Sequence, residues 1–231
     1  MCIRDSAWAF QAAYDPDRGY GGGTRRVIEL WASGTPVASA AGQIFGGQGS
    51  RGNGAAMRVA PVAVRFHNHP QQLRAEAARS ARVTHAHPVG EDGAVVQAAA
   101  IGAALRGEDI LDRAHTDART PEMAEGLAVV GELITASREP AEVHARVGSS
   151  SDAQESVCAA LYSALAHPAF DEAVRFAVRL GGDTDTVAAM TGAIVGARDG
   201  VESIPARWLE ALEDGHRGRT HVNQLAVLLL T

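Results

Sequence analysis

The sequence predicts an all-α protein folded as one domain. Three observations carry this. Apolar residues recur at spacings of three and four in one segment after another, and alternation with a period of two is almost absent. With aromatic residues at only 5%, alanine, valine and leucine must fill the core, a composition that suits closely packed helices. A length of 231 residues is enough for one large domain with its own core.

The elements follow in order. Ala7 to Ala13 can form a short helical turn that Asp15-Pro16-Asp17 stops. The run Gly19 to Thr24 is a flexible turn into a helix from Arg25 to about Ser33, and Thr35-Pro36 offers a cap and first position for another. Ala98, Ile101 and Leu105 keep helical spacing; Leu127, Val130 and Ile134 repeat it after Thr120-Pro121. Val157, Leu161 and Leu165 form a further stripe, opened by Ser151 and Gln154, and Phe170, Val174 and Val178 another. Ile204-Pro205 starts a late helix, and Val222, Leu225 and Leu229 suggest a final one. Burial alone accounts for all these stripes.

Composition narrows the function classes. All 21 basic residues are arginine and the net charge is −6, so no general basic face exists to neutralise a nucleic-acid backbone. Two cysteines, Cys2 and Cys158, are too few for a disulfide scaffold or a Cys-based zinc site. The opening residues lack the apolar core of a leader, and no stretch approaches the length that spans a bilayer, so a cytoplasmic location is expected with no membrane partner.

Two stretches carry chemistry. In Gly181-Gly182-Asp183-Thr184-Asp185-Thr186, the glycines can end one helix while Asp183 or Thr184 caps the next. Asp183, Asp185 and Thr186 then crowd into one turn, a set of hard oxygen donors suited to Mg²⁺ or Mn²⁺. Two carboxylates and a hydroxyl cannot complete an octahedron, and on spacing alone a solvated helix cap explains the residues equally. The second stretch, Gly46 to Gly54 followed by Ala55-Ala56-Met57-Arg58, permits close backbone approach to a ligand and could cradle a pyrophosphate; a Gly-rich loop capped by Asn53 is the plain alternative. His67, His69, His85 and His87 do not read as a zinc site, because no Cys or Glu stands in a supporting position. Ser149-Ser150-Ser151-Asp152 has no triad around it and reads as a helix entrance.

The run GGDTDTVAAMTGAIVGARDG, Gly181 to Gly200, resembles the C-terminal metal-binding signature of the ADP-ribosylglycohydrolase family. Members are all-helical enzymes that use a pair of divalent metals, Mg²⁺ or Mn²⁺, to cleave ADP-ribose from a side chain or small molecule. The resemblance implies that Asp183, Asp185 and Thr186 are metal ligands. Gly49 to Arg58 resembles the family's ADP-ribose loop, which assigns ligand contacts to Gly49, Ser50, Gly52, Asn53 and Gly54; most members carry an aromatic residue where Arg51 stands. Thr84-His85-Ala86-His87-Pro88, with Gly90 and Gly93, resembles a segment whose first histidine lies near bound ADP-ribose, which gives His85 a ligand contact. The run from Ser149 through Val157 also resembles a segment near the ligand.

The resemblance implies a multi-helix orthogonal bundle over residues 19–231, with about ten short helices packed at steep angles. Residues 1–18 are expected to be a truncated or non-family start, since the family's acidic Thr-Asp-Asp motif and catalytic Glu have no counterpart before Trp8. The chain is thus expected to be a fragment whose general acid or base is not placed. The implied function is Mg-dependent removal of ADP-ribosyl groups from modified proteins or small molecules. The alternative is a non-catalytic ADP-ribose-binding or structural, crystallin-like protein.

Overall fold

Why so few aromatic residues suffice is visible along the central helix, Pro88–Arg106, which buries every residue from Asp92 to Ala104. Alanine and glycine at most of these positions let neighbouring helices approach closely on all sides. The computed structural model describes residues 2–136 and 139–229, so Met1 of the expected truncated or non-family start and the last two residues lie outside it. It holds fifteen α-helices: α1 (Ile3–Ala13), α2 (Gly22–Ala32), α3 (Val37–Gln43), α4 (Gly54–Met57), α5 (Ala60–Phe66), α6 (Pro70–Arg82), α7 (Pro88–Arg106), α8 (Ile110–Asp117), α9 (Pro121–Ala136), α10 (Pro140–Val147), α11 (Ala153–Ala166), α12 (Phe170–Arg179), α13 (Thr184–Asp199), α14 (Ala206–Ala211) and α15 (Arg219–Leu228). The all-α expectation is met; no strand occurs among the described residues, where one isolated bridge joins Gly52 and Asp152.

Helix α7 packs against α4, α5, α6, α8, α11 and α13, and α11 packs in turn on α9, α12 and α13. The main core therefore runs along α7, α11 and α13. Tyr162 and Phe176 meet inside it with ring centroids 5.6 Å apart, and His167 lies 4.5 Å from Phe176. A smaller cluster under α1 to α3 collects Ala7, Val27, Ile28, Trp31, Ala40, Ala41 and Ile44 over Val83.

The predicted stripes hold with shifts of one position. On α12 the buried face is Phe170, Ala173, Phe176 and Ala177, while Val178 is exposed; both i+3 and i+4 continue a helical face, and the small alanines give the closer approach to α13. On α9, Leu133 rather than Ile134 is buried, and Leu105 is exposed at the end of α7. Val222 and Leu225 of α15 are exposed, so the expected core stripe there faces outward. The cap at α11 is Asp152, whose carboxylate accepts from Gln154 N–H, and not Ser151. Asp92 of α7 closes the entrance of α9 by accepting from the backbone N–H groups of Arg119 and Thr120 and from the Thr120 hydroxyl; burial pushes its carboxyl pKa up. No helix among the described residues is long and apolar enough to cross a membrane.

Candidate functional site

Three loops distant in sequence converge on one cleft of about 1430 Å³. The Gly-rich loop before α4, the loop between α10 and α11, and the turn that opens α13 all line it, together with His85 from the α6–α7 connection. Every residue expected to touch a ligand or a metal is among the lining: Gly49, Ser50, Gly52, Asn53, Gly54, His85, Asp183, Asp185 and Thr186.

Short side chains bring the loops together. Gly182 has φ +70, and a Cβ there would lie 2.2 Å from the carbonyl oxygen of Ser149; that carbonyl accepts the Asp183 N–H at 2.8 Å. The Ser149 hydroxyl donates to Gly181 O at 3.0 Å and lies 2.8 Å from His144 Nδ1. On the other side, Asn53 N–H donates to Ser151 O and Ala153 N–H donates to Arg51 O, both at 3.0 Å. The α10–α11 loop is thus the strut between the Gly-rich loop and the acidic turn. Gly90 allows the Gly-rich loop to lie on the start of α7, since a Cβ there would sit 2.4 Å from Ser50 O.

Two expected caps do other work. Asp183 and Asn53 hold the N-terminal positions of α13 and α4, yet neither side chain bonds to its own helix. Instead Asn53 Nδ2 donates to Asp183 Oδ2 at 2.7 Å, across 130 residues of sequence. The cost of two unmade local caps is offset by a charge-assisted bond that joins the two candidate stretches. Helix α4 is a single turn, and the amides of Gly52 and Asn53 are taken by Ser50 Oγ and Ser151 O. The loop therefore uses part of the donor set that a phosphate cradle would need.

Arg51, standing where an aromatic residue was expected from the resemblance, donates through Nε to Asp152 Oδ2 at 2.8 Å and lies 3.8 Å from Glu122. Its hydrogen bond to Asp152 holds its pKa up, and its charge is met by carboxylates at the rim. His85 is 4% exposed, and burial, aided by the nearby Arg58 charge, pushes its pKa down to about 3. It is a neutral imidazole at physiological pH.

The donor set fits one side of a hard-cation shell. Asp185 is exposed to the cleft, Asp183 half-buried, and Thr186 buried at 7% exposure, so carboxylate and hydroxyl oxygens of one turn reach the same space. Among the described residues no three His, Cys, Asp or Glu side chains gather as a cation cluster, so the turn offers part of a shell. The sequence did not mark the bonds that link Arg58 and Thr84 to His85, nor the strut role of Ser149. It also missed the rim pair in which Arg18 donates to both carboxylate oxygens of Glu213, at 3.3 and 3.2 Å. No motif marks such pairs, which depend on how distant loops meet.

Comparison with known proteins gives a consistent picture. A family model described as ADP-ribosylglycohydrolase matches residues 3–231. The ADP-ribosylhydrolase ARH3 of Mus musculus is 34% identical over 249 residues, covering 90% of this chain and 66% of the mouse protein. ARH3 of Xenopus tropicalis is 35% identical, covering 89% of this chain and 69% of its own length. The ADP-ribosyl-[dinitrogen reductase] glycohydrolase of Rhodospirillum rubrum is 26% identical over 72% of the chain. A solved structure, an ADP-ribosylglycohydrolase-related protein complex, superposes with a TM-score of 0.73 at 30% identity, covering 98% of this chain and 78% of that one. The chain thus spans about two thirds of the length of these ARH3 relatives.

Proposed function

Because the chain belongs to the ADP-ribosylglycohydrolase family, we propose that its three-loop cleft binds ADP-ribose and, with divalent metal at the α13 turn, hydrolyses the bond joining ADP-ribose to a modified protein side chain or small molecule. The observation that supports this reading is the 2.7 Å bond from Asn53 to Asp183, which joins the Gly-rich loop to the acidic turn. A cleft of about 1430 Å³ has room for a dinucleotide-sized ligand, since pockets for smaller molecules run to roughly 300–1,000 Å³.

In this reading Asp183, Asp185 and Thr186 hold Mg²⁺ or Mn²⁺, with remaining ligands from water, substrate or a further donor set. A metal held there would supply Lewis-acid polarisation of substrate oxygens and a more acidic bound water. The protein's own residues do the rest. Asn53 fixes the Asp183 carboxylate, the backbone of Ser50 to Gly54 approaches the ligand closely, and His85 offers a ring N–H. A second reading, a non-catalytic ADP-ribose-binding protein, is favoured by one observation: among the described residues no three His, Cys, Asp or Glu side chains gather as a group that could hold a metal ion.

Release of ADP-ribose from ADP-ribosylated arginine and serine peptides in Mg²⁺ separates the two readings. The assay compares this chain with one extended to the length of its relatives. Faster turnover by the extended chain supports the hydrolase with a shared metal shell; binding without turnover by either chain leaves the binding protein. For Asn53→Ala, the expected result is a loss of about 10- to 100-fold in ADP-ribose affinity by calorimetry, the worth of one charge-assisted hydrogen bond. Unchanged affinity would remove Asn53 from the site.

A further inference from the structure

The ring of His85 is set by two further residues of the cleft wall, its neighbour Thr84 and Arg58 at the end of α4. Thr84, 1% exposed, and Arg58, partly buried with its Nε fully enclosed, stand behind it. Arg58 Nη1 donates to Gly54 O at 2.8 Å, while Nη2 donates to Ser80 O at 3.1 Å and to Thr84 Oγ1 at 2.9 Å. Thr84 Oγ1 then lies 2.7 Å from His85 Nδ1.

The donor inventory decides which way the protons run. A guanidinium has donors only, so Thr84 Oγ1 is the acceptor of the Arg58 bond. The hydroxyl's single proton is left for Nδ1. A proton on Nδ1 would instead aim two donors at one oxygen and leave the hydroxyl proton without an acceptor in a buried position, at a cost of about 1–3 kcal/mol. Nδ1 is therefore an acceptor, and a neutral ring then carries its proton on Nε2. That edge of the ring faces the cleft: Cβ atoms built at Gly52 and Gly54 would lie 3.7 and 3.1 Å from Nε2, so both glycines leave room beside it.

We infer that Arg58 and Thr84 are positioning residues that hold His85 in the Nε2–H form, making it a fixed hydrogen-bond donor to a phosphate or hydroxyl oxygen of the ligand and not a proton acceptor. This rests on the reading of the cleft as an ADP-ribose site. The low His85 pKa agrees with it, because a ring that stays neutral cannot offer a second N–H to Thr84. Arg58 also ties this relay to the ligand loop through Gly54 O, so ring orientation and loop position are set together.

Long-range ¹⁵N–¹H NMR of the histidine rings, with His85→Gln to assign the signals, reads the tautomer directly and without ligand. The expected spectrum of the wild-type chain has a pyrrole-type Nε2 and a pyridine-type Nδ1 at position 85. Thr84→Val, which keeps the shape and removes the hydroxyl, should mix the two tautomers and weaken ADP-ribose about tenfold; Thr84→Ser should restore both within about twofold. A wild-type proton on Nδ1 overturns the inference, and so does a Thr84→Val chain with unchanged spectrum and affinity. If wild type fails to bind ADP-ribose, the functional reading falls while the ring spectrum still decides the tautomer. The wild-type spectrum keeps the test decisive even if Thr84→Val does not fold.

Discussion

Gly182→Ala is expected to lower the stability of the chain by about 3 kcal/mol or more and to abolish cation binding at the α13 turn. The residue has φ +70, where an L side chain costs roughly 1–2 kcal/mol, and the new Cβ would lie 2.2 Å from Ser149 O and 2.6 Å from Ser149 Oγ. The first of these atoms is backbone on the strut loop, so it cannot rotate away. Relief requires the turn to separate from Ser149, which breaks the 2.8 Å Asp183 N–H bond and moves Asp183, Asp185 and Thr186 together. Gly181→Ala is the matched control. Its φ is similar at +79, but nothing lies within 4 Å of its Cβ, so only the backbone cost of roughly 1–2 kcal/mol remains. Urea denaturation midpoints of the two variants separate contact from backbone strain, and equal midpoints would show that the Ser149 contact is not limiting.

The second large effect is at acid pH. His85 is held near a pKa of about 3 by burial and the adjacent Arg58 charge, against 6.5 for the free side chain. In the unfolded chain it takes up a proton as pH falls through about 6.5; in the folded chain it does so only near about 3. Its contribution is thus complete above about 6.5 and is lost progressively toward 3, at about 1.4 kcal/mol per pH unit, or roughly 4–5 kcal/mol in all. His85→Gln should remove that slope. Asp92 and Asp117, both raised by burial, favour the folded state as they protonate and act in the opposite direction. The measurement is therefore the difference between wild type and His85→Gln in stability from pH 7 to 4. Parallel curves would show that the ring is solvated.

Much of the helical core was legible because burial imposes a period that sequence records. The run Phe170, Val174, Val178 named the right helix, with Phe170 buried and Val174 packed against the core, but Val178 is exposed because the i+3 continuation through Ala173, Phe176 and Ala177 forms the centre of the buried face. Leu105 and Val222 failed for a related reason: an apolar residue at helical spacing is buried only if another element covers it. The single turn α4 and the short α14 fall below the length at which periodicity can be read, so more helices are present than the spacing suggested.

At the site, residue types were legible and their partners were not. Asp183 and Asn53 both look like helix caps, and each occupies a cap position, but the bond they make is to each other. Local sequence cannot show that, because the competing partner stands 130 residues away. Arg51 illustrates the reverse case. Standing where most members carry an aromatic residue, it is engaged by Asp152 and Glu122 on two elements brought beside it by the fold.

The acidic turn and the Gly-rich loop are proposed to form one ADP-ribose and cation site. Calorimetric titration of the chain with ADP-ribose, with and without saturating Mn²⁺, tests it most directly. Binding at one site that tightens in Mn²⁺, with Mn²⁺ tightening by the same factor in ADP-ribose, is the predicted result, and Asp183→Ala should remove the coupling. No saturable binding of ADP-ribose, or binding indifferent to Mn²⁺ and to Asp183→Ala, would contradict the account.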